Sequence, residues 1–324
     1  MILLRALILL WAAKSANAGP PTQAFVQLPT VRLHYLDWQG DGEPLVLFPG
    51  GCQTAYVFGD LAPLLIEKFR VFALTPRGCG QSGAAADGYG IDSHVDDLIR
   101  FLDTLGIKRA VFAGHSSGGG IVVRMANRYP QRVSRIVTFD IVYSGVPEQF
   151  EDRMEQAIAS KIGSQGPPSL ESLRANFQAW ELGVWSSALE RDLHEGTERK
   201  EDGSLRYRPR RPEWQAAFVA DMKAGSYFES SIRQPALFFV ARDLDLNRVR
   251  QFPAKQRRVL LPIAKAIGAA RRKQVEAFRQ NGAHVKVIWL RNASHYLFVD
   301  HAQAVAREIM RFVPPSHTLD RRAN

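Results

Sequence analysis

Gly114, His115, Ser116, Ser117 and Gly118 place a serine between two glycines, at the junction of an apolar run and a run with helical spacing. Arg109 to Ala113 (R-A-V-F-A) has the β-branched and aromatic make-up of a buried parallel strand, and Gly119 to Arg128 continues with helix periodicity. A strand that turns straight into a helix leaves no room for side chains beside the turn. Gly114 and Gly118 therefore suit an elbow that lifts Ser116 Oγ to the edge of a sheet. The next helix then aims its N-terminus at that hydroxyl. Its unpaired N–H groups and partial positive charge would stabilise an oxyanion formed by serine attack on a carbonyl. An ordinary Gly/Ser turn between strand and helix is the plainer account, and the rest of the chain has to decide.

A serine hydroxyl is a poor nucleophile until a histidine takes its proton, and that histidine needs an acid on its other nitrogen. His295 follows the last strand-like run, His284 to Leu290, and precedes a closing helix from about Ala302 to Phe312. It can overhang the sheet edge that carries Ser116. His115 lies inside the elbow, His34 on an early strand and His301 at the start of the closing helix, all less suited to that role. Three aspartates end strand-like runs and keep the chain order serine, acid, histidine. Asp140 follows Arg132 to Phe139, and Asp243 and Asp245 follow Pro235 to Val240. The two-residue extension of Asp245 beyond Asp243 gives it reach toward the histidine loop.

The elements that must position these groups read as follows. Ala24 to Leu28 and Val31 to Trp38 form a strand pair, the second alternating as V-R-L-H-Y-L-D-W. Pro44 to Phe48 and Arg70 to Leu74 are buried strands, running into the loops Pro49-Gly50-Gly51-Cys52 and Thr75 to Ser82. Asp92 to Leu105 carries a helical apolar stripe of Val95, Leu98, Ile99, Leu102 and Leu105. Strands alternating with helices predict a mostly parallel sheet covered on both faces. From about 141 to 233 the pattern changes to charged, helix-spaced sequence with scattered aromatics (Phe150, Phe177, Trp180, Trp185, Trp214, Phe218, Tyr227, Phe228). That stretch predicts a mainly helical cap whose aromatics form its core and, in part, an apolar pocket.

Composition bounds the function. The chain of 324 residues, 46% hydrophobic, can bury a full core. Met1 to Ala18 has an early Arg5, an apolar run from Ala6 to Ala13 and the small-x-small triplet Ala16-Asn17-Ala18, the pattern of a cleaved signal peptide, so export is expected. Two cysteines, Cys52 and Cys79, exclude a disulfide-dense scaffold and offer no metal-ligand spacing. They are open to two readings, buried thiols or a bridge in an exported protein. A net charge of +10 comes from 42 Lys and Arg against 32 Asp and Glu, with clusters at Arg206 to Arg211, Arg257-Arg258 and Arg271 to Lys273. No nucleic-acid recognition motif accompanies them; a solvated basic face is expected, able to touch an anionic envelope surface.

Taken together, these motifs resemble the α/β-hydrolase family over nearly the whole mature chain. Pro49-Gly50-Gly51 stands where that family has a His-Gly oxyanion loop, Thr75 to Ser82 looks like its D-x-R-G-x-G-x-S segment, Gly114 to Gly118 matches its elbow, and Asn292 to His295 resembles its G-x-x-H approach. Pro49 and Thr75 depart from the family's histidine and aspartate. The resemblance implies an α/β-hydrolase fold, with a core of 19–140 and 234–324 and a cap over 141–233. It implies catalysis by Ser116, His295 and Asp245, the acid most often standing after the seventh strand, where Asp243 also lies, with Asp140 after the sixth as the alternative. The N–H groups of Gly51 and Ser117 would hold the oxyanion, without a metal or organic cofactor. A small-molecule carboxylic ester or lactone is the expected substrate, cleaved through an acyl-enzyme; a serine in place of an aspartate nucleophile argues against epoxides and haloalkanes. An inactive binding or envelope-interaction protein on the same fold is the alternative. The stretch from Asp245 to His295 is longer than usual, implying an extra basic helical insertion.

Overall fold

The computed structural model describes residues 19–141, 169–208, 212–225, 232–281 and 284–314. The expected signal segment 1–18 and much of the first half of the expected cap, 142–168, lie outside them, as do Phe150, Tyr227 and Phe228. Ten strands are present among the described residues: β1 (Thr22–Gln27), β2 (Arg32–Asp37), β3 (Glu43–Phe48), β4 (Phe69–Leu74), β5 (Ala110–His115), β6 (Val133–Phe139), β7 (Thr197–Arg199), β8 (Leu205–Tyr207), β9 (Ala236–Ala241) and β10 (Val285–Leu290). Eight build one sheet in the order β1-β2-β4-β3-β5-β6-β9-β10. Only the β1–β2 and β2–β4 pairs are antiparallel; every pair from β4 across to β10 is parallel. The carboxyl ends of six strands therefore share one edge, and the loops singled out above all emerge there.

The apolar runs that read as strands are continuous because both faces are covered. Along β3, Val46 and Phe48 face one core while Leu45 and Leu47 face the other; on β9, Phe238 and Val240 oppose Leu237, Phe239 and Ala241. The helices are α1 (Ile91–Thr104), α2 (Ser117–Arg128), α3 (Leu170–Trp180), α4 (Ser187–Gly196), α5 (Pro212–Lys223), α6 (Leu244–Arg250), α7 (Ala254–Asn281), the single turn α8 (Leu297–Asp300) and α9 (Ala302–Phe312). Val95, Leu98, Phe101 and Leu102 of α1, Ile121, Val122, Val123 and Met125 of α2, and Val275 and Phe278 of α7 cover the first face. Val305, Ala306 and Ile309 of α9 and the Ala55–Leu65 stretch cover the second.

Between β6 and β9 the described residues form α3, α4 and α5 together with the short β7–β8 hairpin. Its strands are three residues long, too short for the period-two signal to stand out. Helix α4 docks on the loop after β3 through Asp192, which accepts from the Thr54 N–H at 2.7 Å and the Thr54 hydroxyl at 2.6 Å. Trp214 and Phe218 of α5 stack with ring centroids 5.5 Å apart and pack on the first core rather than in a pocket.

Candidate active site

The elbow forms because no other residues fit it. A Cβ on Gly114 would lie 2.2 Å from Gly118 O, and one on Gly118 would lie 2.5 Å from Phe48 O. Ser116 itself takes φ 52° and ψ −122°, a region costly for a residue with a Cβ, at roughly 1–3 kcal/mol. Its N–H is held by Phe139 O at 3.0 Å, which ties the turn to β6. Ser117 opens α2, so the free end of that helix faces the serine.

His295 brings its ring to the same cavity as Ser116, a space of about 220 Å³ above the sheet edge. Its Nδ1 lies 2.7 Å from Asp140 Oδ2. The carboxylate that meets His295 is thus Asp140, the alternative acid, and not the favoured Asp245. Beyond β9 the chain coils at once into α6, so Asp245 sits in that helix's first turn and Asp243 at its N-cap, where the Asp243 carboxylate is 41% exposed beside Arg242. Asp140, by contrast, ends β6, the strand next to β9, and its own φ of 43° turns the side chain off the strand line. Its other oxygen accepts the Ala241 N–H at 3.1 Å. Burial pushes this carboxyl up. The Arg271 charge, the bond and charge of His295 and the Ala241 N–H outweigh that push and hold it down at about 2. As an ionised carboxylate it can only accept, so His295 carries its proton on Nδ1 and leaves Nε2 as a base.

His115 is buried beneath this pair, its ring centroid 4.5 Å from that of His295. Its Nε2 donates to the His295 carbonyl at 3.2 Å, since a carbonyl only accepts. Burial, with the nearby His295 charge, pushes it well below the usual histidine range, so it stays neutral.

The oxyanion loop is a tight turn closed by Gln53 N–H to Gly50 O at 3.0 Å, with Gly51 at φ 56° and Cys52 at φ 63°. Two left-handed residues in succession are the signature of a type I′ turn. Glycine takes the first without strain; Cys52, the second, is bridged to Cys79, with Cα atoms 5.3 Å apart. The two loops can meet because β3 and β4 pair in parallel register. The Gly51 N–H donates to Ser117 Oγ at 3.1 Å, so the two expected oxyanion residues adjoin. Thr75, standing where the family has aspartate, bonds the same loop: its Oγ1 accepts the Ala55 N–H at 3.0 Å and shares a hydrogen bond with His34 Nδ1 at 2.8 Å.

The cap closes the cavity with Phe177, Trp185, Leu189 and Leu193, joined by Tyr296 from the core. Phe177 lies 4.9 Å from the Tyr296 ring and 5.5 Å from Trp185. Sequence reasoning missed three charged groups here. Glu181, 2% exposed at the end of α3, accepts the His295 N–H at 3.3 Å and pairs with Arg248 of α6 at 2.6 Å. Arg271 of α7 lies 3.9 Å from Asp140 Oδ2. Its signal was present: Leu260, Ala264, Ile267, Arg271, Val275 and Phe278 repeat at helical spacing, and a cation on an apolar stripe requires an anion opposite. Glu181 carries no comparable signal.

The family profile described as alpha/beta hydrolase fold matches residues 43–243. A bifunctional esterase/perhydrolase of Acinetobacter calcoaceticus is 37% identical over 102 residues, which are 31% of this chain and 37% of that protein. Bifunctional epoxide hydrolase 2 of Sus scrofa is 34% identical over 115 residues, 35% of this chain and 20% of that protein. The chain thus spans about a third and a fifth of these curated relatives. The crystal structure of E-2-(acetamidomethylene)succinate hydrolase superposes with a TM-score of 0.69 at 20% identity, covering 90% of this chain and 98% of that one, a likeness of fold.

Proposed function

The chain belongs to the α/β-hydrolase family, and on that premise we propose that it is a serine hydrolase cleaving a carboxylic ester or lactone through an acyl-enzyme. The observation that carries this reading is that His295, bonded to the buried Asp140 at 2.7 Å, shares a cavity with Ser116 on its elbow. His295 Nε2 takes the Ser116 proton as Oγ attacks the substrate carbonyl, and Asp140 stabilises the imidazolium. The oxyanion is received by the Ser117 N–H at the start of α2 and by the Gly51 N–H, released from Ser117 Oγ as substrate enters. The leaving alcohol collects the proton from His295; water then repeats the sequence on the acyl-serine. Epoxide opening, the reaction in one relative's name, does not transfer readily, because the elbow carries a hydroxyl and not a carboxylate. Phe177, Trp185, Leu189 and Leu193 suit an apolar acyl or alcohol group.

A fluorophosphonate probe tests the reading: the folded protein is expected to label at Ser116 within minutes. No labelling of well-folded protein overturns it in favour of a non-catalytic binding role. We further propose export, supported by the oxidised Cys52–Cys79 pair, which persists in oxidising compartments. N-terminal sequencing of protein recovered from the cell envelope or medium is expected to begin at Gly19; an intact Met1 in a cytosolic fraction sinks the idea.

A further inference from the structure

Helices α6 and α7 fill the long stretch between β9 and β10, and α7 alone runs 28 residues. Most of its cations, among them Lys255, Arg257, Arg258, Lys265, Arg272 and Lys273, are exposed and solvated. Arg271 is the exception at 5% exposure. Its Nη1 donates to Ala241 O at 3.1 Å while its Nη2 lies 3.9 Å from Asp140 Oδ2. The Ala241 N–H in turn bonds Asp140 Oδ1. One guanidinium thus spans the ends of two neighbouring strands, β6 and β9, at the residue that orients His295.

We propose that Arg271 is a positioning residue of this site: delivered by the inserted helix α7, it holds the Asp140 carboxylate toward His295 and offsets part of the negative charge that faces the ring. The proposal rests on the serine hydrolase reading. An unscreened buried carboxylate holds an imidazolium tightly and keeps the histidine protonated to higher pH. Arg271 offsets part of that charge, so removing it strengthens the hold of Asp140 on a protonated His295. The other groups facing His295 do not supply this. His115 on β5 is neutral, the Glu181 charge at the end of α3 is balanced by Arg248 on α6, and Tyr296 contributes a ring. A cation at this position also explains why the insertion folds back on the sheet: Arg271 lies on the stripe that includes Val275 and Phe278, which anchor the helix to the core.

The test is the pH dependence, from 5 to 9, of the fluorophosphonate labelling rate of the full chain and of R271Q, R271M and R271K. The two neutral variants are expected to move the midpoint of the acid limb upward by on the order of one pH unit, because loss of a nearby positive charge favours the imidazolium. R271K keeps the charge but lacks the second nitrogen that faces Asp140 while the first donates to Ala241 O. Its midpoint is expected to stay within about 0.3 unit while its limiting rate falls about tenfold. An unmoved midpoint in either neutral variant that folds overturns the proposal. If neither folds, an unchanged limiting rate in R271K overturns it. Absence of labelling in the unmodified protein instead defeats the hydrolase reading underneath, so the two failures are distinct.

Discussion

Asp140→Asn is expected to lower kcat/KM on a p-nitrophenyl ester by about ten-thousand-fold, the scale on which serine triads respond to losing the carboxylate while keeping its shape. An amide at this position can present its NH2 group to His295 Nδ1. That stabilises the tautomer with the proton on Nε2, which can no longer accept from Ser116. The variant also leaves Arg271 facing a neutral group in a buried site, so its thermal midpoint is expected to fall. The stability loss stays below the roughly 3–5 kcal/mol of a buried pair that loses one partner outright, because the amide oxygen still accepts. Asp245→Asn is the control, and its turnover is expected within a few-fold of the unmodified protein. Asp245 lies in the first turn of α6, and His295 is already engaged by Asp140. The acid assignment is wrong if Asp245→Asn is the slower of the two on the same ester.

Ser116→Ala and His295→Ala are each expected to reduce turnover by about a million-fold, and the double variant by no more than either alone. Nucleophile and base act as one unit, so removing the second costs nothing once the first is gone. A residual rate above the uncatalysed reaction is expected from the oxyanion N–H groups and substrate binding. The Ser116→Ala fold is expected to be intact, since alanine keeps the Cβ and the backbone bond from residue 116 N–H to Phe139 O that ties the turn to β6. Steady-state kinetics on the three variants, with circular dichroism to check folding, decides the matter. Additive losses in the double variant would mean that Ser116 and His295 do not work together.

The elements that could be read in advance are those whose information is local. The elbow is a strand, a turn and a helix within twenty residues, and its two glycines are dictated by backbone contacts that any sharp strand-to-helix turn imposes. The alternation of core-facing residues along β3 and β9 and the stripe on α1 follow from periods of 2 and 3.6, visible without a partner. That His295 shares a cavity with Ser116 could be expected because it follows the last strand on the same edge. For the cysteines, adjacency of β3 and β4 made a bridge geometrically available, but only the left-handed turn at Gly51 and Cys52 brings the Cα atoms to 5.3 Å.

Which carboxylate meets His295 was not legible because Asp140, Asp243 and Asp245 share the same local description, a carboxylate just past a buried strand. What separates them is direction. A φ of 43° turns Asp140 toward the histidine loop, whereas Asp243 and Asp245 begin a helix. Strand end and helix start differ by two dihedral angles that no apolar pattern records. The same holds for Glu181, which ends a cap helix, pairs with Arg248 on α6 and accepts the His295 N–H: three segments far apart in the chain, joined only when the cap lies on the sheet. Arg271 falls between these cases. Helical period marked it as a buried cation, and only the packing of α7 against β9 identified the carboxylate it faces. The sheet, the elbow and the edge where Ser116 and His295 meet rest on periodicity and steric necessity between near neighbours, which local sequence records. The tertiary structure decided which charges meet, because buried electrostatic pairing depends on a few ångströms of separation across elements whose relative placement emerges from the whole fold.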